Sequence, residues 1–124
     1  MRYLITVRVT AQPATPVPAE LMEAIAVLGE EATKSGALLE TSGLAPSAEG
    51  ARVTLTGGSI SVTDGPFAEA KELISYALFE VATKDEAVEW AARFVRVHRD
   101  HWAGWEGQAE VLRLFGPEDF APPA

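Results

Sequence analysis

Residues Val62 to Arg93 constrain the fold of this chain more than any other stretch, because they write a turn, a strand and a helix in direct succession. Asp64-Gly65-Pro66-Phe67 is turn chemistry. An Asp side chain caps local backbone, Gly reaches positive φ, and Pro holds its predecessor out of the helical region. Ile74 to Val81 then reads as a strand that is apolar on both faces, with Ile74, Tyr76 and Leu78 on one and Ala77, Phe79 and Val81 on the other. Such a strand belongs at the centre of a covered sheet. Thr83 and Glu86 have the spacing of a capping box, and Ala87, Val88, Trp90, Ala91 and Phe94 continue as the apolar stripe of a helix. The pattern leaves open whether that helix runs on through Val95 to Trp102.

The flanking segments supply the other elements. Arg2 to Val9 alternates, placing Tyr3, Ile5, Val7 and Val9 on one strongly apolar face of a strand. Three prolines make Ala11 to Pro18 a loop, the last suited to a helix's first turn. From Ala19 the apolar residues Leu21, Met22, Ile25 and Leu28 recur at helical spacing, and Lys34-Ser35-Gly36 marks the stop. Ala37 to Glu40 reads as a short strand, and Val53–Thr56 and Ser59–Thr63 flank Gly57-Gly58 as a hairpin around a primed turn. Gln108 to Phe115 is expected to be the last strand, and 116–124 a frayed, proline-rich tail of a single domain spanning 1–124.

Strand, helix, strand, hairpin, strand, helix, strand predicts an α+β fold: a ferredoxin-like arrangement with an inserted β-hairpin, helices on one face of an antiparallel sheet. The central strand is apolar on its far side too, and the economical cover for that side is a second copy, giving a homodimer.

Charge narrows the partners. A formal net charge of -8 disfavours nucleic acid, whose binding needs clustered Lys and Arg. Without cysteine there is no disulfide or thiolate chemistry. The apolar run at the amino terminus is broken by charge and is too short for a signal peptide or a membrane span, so a cytoplasmic protein with no membrane partner is expected.

Candidate chemistry is sparse. Asp64 suits a general base or a ligand acceptor beside a cleft, or a cap on its own turn. Glu69, Lys71 and Glu72 read either as a polar cluster at a pocket mouth, with Lys71 as an anion partner, or as a solvated loop. His98 and His101 are spaced to share one side of a helix, but two ligands are not a metal site, so no metal and no cofactor are expected. The preferred reading is an exposed, charged helix end from Arg96 to Asp100, with Trp102 and Trp105 covering the core or a dimer interface. Arg8 and Tyr76, polar residues on otherwise apolar strands, are candidates to line a barrel interior and meet a small anionic ligand. Two function classes follow: a dimeric module binding a ligand or partner, and a small acid/base lyase or hydrolase using Asp64 with His98 or His101.

The run Asp64-Gly65-Pro66-Phe67-Ala68-Glu69-Ala70-Lys71-Glu72 resembles the DGPF branch of the YCII-related family. So do Arg2-Tyr3-Leu4, Ser42-Gly43-Leu44-Ala45-Pro46, Asp85 to Ala91 and Leu114 to Phe120, so nearly the whole chain is covered. The resemblance implies a ferredoxin-like domain paired sheet to sheet as a dimeric α/β barrel. It also implies a possible link to extracytoplasmic-function sigma factors as partners, and proposals of His and Asp catalysis for some relatives. The chain departs from the pattern twice. A glycine pair before the central strand is contracted to Ser75, and the usual Glu-Val-Arg-Pro is Glu110-Val111-Leu112-Arg113.

Overall fold

The computed structural model describes residues 1–67, 72–120 and 122. Its elements are β1 (Arg2–Ala11), α1 (Ala19–Lys34), β2 (Leu38–Gly43), β3 (Ala51–Thr56), β4 (Ser59–Asp64), β5 (Leu73–Glu80), α2 (Lys84–His101) and β6 (Glu106–Arg113), with short 3-10 turns at Ser47–Glu49 and Pro117–Phe120. The α+β expectation is met. No helix of the described residues is long and apolar enough to cross a membrane.

Alternation in β1 decides the layering. Tyr3, Ile5 and Val7 are buried, while the residues between them are more exposed. β1 pairs antiparallel with β5 on one side and β6 on the other, and β2 lies outside β5, giving the order β2-β5-β1-β6. β5 is therefore interior, as its two-sided apolar pattern requires. The strand bounds differ from the sequence reading by one to three residues at one or both ends, and β2 and β6 show why. β2 starts at Leu38 and continues to Gly43 rather than ending at Glu40, because the pairing with β5 extends through Ser42 and Gly43 after a register shift at Leu39. β6 runs Glu106–Arg113 rather than Gln108–Phe115, because Phe115 turns out of the ladder and meets Phe120 edge-on at 5.1 Å.

Both helices pack on the Tyr3 face of the sheet. Ala32 of α1 and Ala87 and Ala91 of α2 share one buried cluster with Tyr3, Ile5, Phe79 and Val81. Leu21, Val7, Trp102 and Trp105 form a second, so both tryptophans are core residues. Burial of each large apolar side chain there contributes about 1.5–3 kcal/mol. The helix ends follow local chemistry. Gly36 takes φ 81° just past α1. Thr83 accepts a hydrogen bond from the Glu86 amide at 3.2 Å, while the Glu86 carboxylate accepts from the Ala82 amide at 3.3 Å. α2 does run on to His101, and the Trp102 indole then donates to the Thr15 hydroxyl at 3.0 Å, fastening the proline loop.

The β3–β4 hairpin forms a separate two-stranded sheet, turned at Gly57 and Gly58 with φ 57° and 80°. Val53 faces Val62 and Leu55 faces Ile60 on one side of it, and all four are between 66% and 72% exposed. The face of the main sheet away from the helices carries Leu4 opposite Leu78 and Leu112, and Thr6 opposite Tyr76 and Glu110. Among the described residues, neither helix covers it.

Candidate functional site

Two groups of polar residues surround the sheet. The first is the junction where β4 returns toward β5. There the Ser47 hydroxyl donates to Glu72 Oε1 at 2.8 Å, the Ser47 amide donates to Glu72 Oε2 at 3.2 Å, and the Phe67 amide donates to the Ser47 hydroxyl at 3.3 Å. The Gly65 amide donates to the Gly50 carbonyl at 3.0 Å, and the Glu72 carbonyl accepts from the Val9 amide at 2.9 Å. The Arg52 guanidinium lies 4.1 Å above the centre of the Phe67 ring. The Gly65–Pro66 peptide is cis. Glycine is required at 65 by space: a Cβ there would fall 1.7 Å from the Ser47 carbonyl oxygen.

Glu72 is thus a bracket that ties the 47–49 turn to the start of β5. A carboxylate accepting two hydrogen bonds in this way is positioned for structure. Asp64 stands at the end of β4 opposite Ala51. Its carboxylate makes no hydrogen bond among the described residues. Glu69 and Lys71 lie outside the described residues.

The second group lies on the uncovered sheet face. Arg8 Nε donates to Glu110 Oε1 at 3.2 Å. Tyr76 neighbours Glu40, and its phenol is held above the ordinary tyrosine pKa, first by lost solvation and then by the charge of, and a hydrogen bond with, Glu40. Register places Arg8 and Tyr76 on the same face. Each therefore already has a protein carboxylate beside it.

The histidines part company with Asp64. His98 is 4% exposed, which corrects the expectation of an exposed helix end. Its ring packs between Phe94 and Trp105, with centroids 4.7 and 4.3 Å away, and Nδ1–H donates to the Phe94 carbonyl at 2.9 Å. Burial lowers its pKa, partly opposed by that hydrogen bond. The reason is geometric: α2 turns this position inward, where the Trp105 ring lies against it. His101 instead lines an open groove of about 620 Å³ between α1 and α2, with Glu20, Glu23, Arg93 and Arg96. Asp64 lines neither this groove nor the cavity beneath the helices. Among the described residues, no three His, Asp or Glu side chains are placed to hold a metal ion.

The geometry joins sequence motifs that are far apart, since the Ser42-to-Pro46 run leads straight into the turn that receives Gly65-Pro66-Phe67. The pattern of the YCII-related domain matches residues 1–106, which include both segments. The chain belongs to the YCII-related family. No curated protein matches it closely enough to stand as a relative. The match ends at the first residue of β6, so Glu110, which holds Arg8, lies beyond the span that defines this YCII-related domain. Sequence reasoning did not single out Ser47 or Glu40, and met Glu110 only within an altered motif. The only available signal was sheet register, since Glu110 stands opposite Thr6 beside Arg8.

Proposed function

We propose that this YCII-related protein is a non-catalytic binding module of the DGPF branch, ferredoxin-like in fold, that works as a homodimer through the uncovered sheet face. The carrying observation is that face itself. Leu4, Leu78 and Leu112 run across three adjacent strands, with Leu112 52% exposed, and no helix covers them among the described residues. Packing such a face against a copy of itself is isologous and closes a barrel. A stable interface needs ~800 Å² per partner. Arg8 and Tyr76 would then line the interior, and a small anionic ligand would compete with Glu110 for the guanidinium. The DGPF assignment rests on Asp64-Gly65-Pro66-Phe67 and the docking of that turn on Ser47. The separation of Asp64 from both histidines supports a module over an acid/base enzyme.

Sedimentation equilibrium tests this reading. Wild-type protein is expected to be dimeric at micromolar concentration, and Leu78→Glu monomeric with an unchanged far-UV spectrum. A wild type that stays monomeric up to ~100 μM, well above the range of ordinary stable complexes, would remove the barrel and its interior together.

A further inference from the structure

On the opposite side of the sheet, beneath the helices, lies a cavity of about 110 Å³. Its walls include Ile25, Ala32, Phe79, Trp90 and Phe94, and among the described residues no charged side chain lines it. Trp90 has two neighbours on its ring, Phe79 stacked at 5.8 Å and the Arg93 guanidinium at 4.8 Å from its centre. The wall therefore does not collapse into the space by a simple turn of the indole. Gly29 of α1 borders the cavity, and a Cβ built on it meets nothing within 4 Å.

Two hydroxyls reach this apolar space. That of Thr41 is committed, donating to the Tyr76 carbonyl at 2.8 Å. Ser75 is different: it stands opposite the buried Val7, on the helix side of the sheet, and its hydroxyl makes no hydrogen bond among the described residues. An apolar chamber with one uncommitted donor-acceptor at its floor is the composition of a small-molecule site, where apolar walls supply contact and a polar group fixes orientation.

We propose that this cavity binds a small, uncharged, single-ring aromatic molecule carrying one hydroxyl or amino group, which Ser75 engages. Charge is excluded because no lining side chain can compensate a desolvated ion. Size is bounded by volume: an engineered apolar cavity of ~150 Å³ in another protein takes benzene, so 110 Å³ leaves room for at most one ring. The ring restores the dispersion contacts that an empty void lacks. The site lies across the sheet from the Leu4–Leu78–Leu112 face and does not depend on the dimer, so either reading can fail without the other.

Phenol and benzene are the probes, titrated into wild type, Ser75→Ala and Gly29→Leu while the amide resonances of residues 29, 32, 75 and 91 are followed by NMR. In wild type both probes are expected to shift these resonances saturably, phenol binding about 3–10-fold more tightly, which is the worth of one neutral hydrogen bond. Ser75→Ala should bring phenol to or below the benzene affinity, because its hydroxyl is then buried without a partner, and leave benzene within about twofold. Gly29→Leu, which sends a side chain into the open space, should abolish both. Absence of shifts at millimolar probe in the wild type overturns the site. Phenol selectivity that survives in Ser75→Ala overturns the role of the hydroxyl, and binding that survives in a folded Gly29→Leu places the probe elsewhere. If Gly29→Leu does not fold, xenon pressure on wild-type crystals decides: density beside Ser75 supports the cavity as an accessible site, and none refutes it.

Discussion

Replacing Gly65 by alanine probes the junction that holds the hairpin to the sheet. The added methyl would lie 1.7 Å from the Ser47 carbonyl oxygen and 2.6 Å from its carbon, both backbone atoms that no rotamer change can move. Relief requires the 64–67 turn to back away from the 47–49 turn by more than an ångström. That strains or breaks the Gly65–Gly50 and Phe67–Ser47 hydrogen bonds. Overpacking costs about 1–3 kcal/mol, and each neutral hydrogen bond about 1 kcal/mol. Because undocking the turn caps the strain, the expected total is about 2–3 kcal/mol. At an m-value of about 1.5 kcal/mol/M, the urea midpoint should fall by about 1.3–2 M. The matched control is Gly58→Ala, where φ is 80° but the Cβ meets nothing within 4 Å. Only the left-handed backbone is charged there, about 1–2 kcal/mol, at an exposed hairpin tip. Hydrogen exchange at the Ser47 and Gly65 amides should accelerate in Gly65→Ala alone. If Gly65→Ala costs no more than Gly58→Ala and leaves those amides protected, the close approach argued for this junction is wrong.

Other residues give simpler outcomes. Thr83→Ala removes the α2 cap and should cost about 1 kcal/mol in thermal or urea unfolding; a change below about 0.3 kcal/mol would mean the capping box is idle. Gly107→Ala would put a methyl 2.3 Å from the Trp105 ring and 2.7 Å from the Arg8 carbonyl oxygen. It should displace the indole and cost about 1–3 kcal/mol, visible as a red shift in tryptophan emission. His98 has a folded-state pKa below the ordinary 6.5, so the unfolded chain binds its proton more readily. Its stabilising contribution is therefore complete above about pH 6.5, declines as pH falls toward the folded value, and stays constant below that. His98→Phe should flatten the stability profile as pH falls below about 7. An unchanged slope would mean that His98 does not titrate differently in the two states.

What each local stretch becomes was legible in the residues, because caps, turns and periodicities act between near neighbours. Gly36 ends α1 and Gly57-Gly58 turn the hairpin through positive φ. Thr83 and Glu86 start α2, Tyr3, Ile5 and Val7 point to the core, and the two-sided pattern of the central strand makes it interior. The family was legible too, since motifs are runs of neighbours. What neighbours cannot encode is which distant groups meet. Ser47 is 25 residues from Glu72, and Arg8 is 102 from Glu110. Those pairs follow from the order β2-β5-β1-β6 and its register shifts. His98 looked exposed because its neighbours Arg96, Arg99 and Asp100 are charged, yet the rotation of α2 on the sheet carries its ring between Phe94 and Trp105. The cavity beside Ser75 was equally out of reach. A void is the space left between elements after they pack, and only the tertiary structure sets that distance.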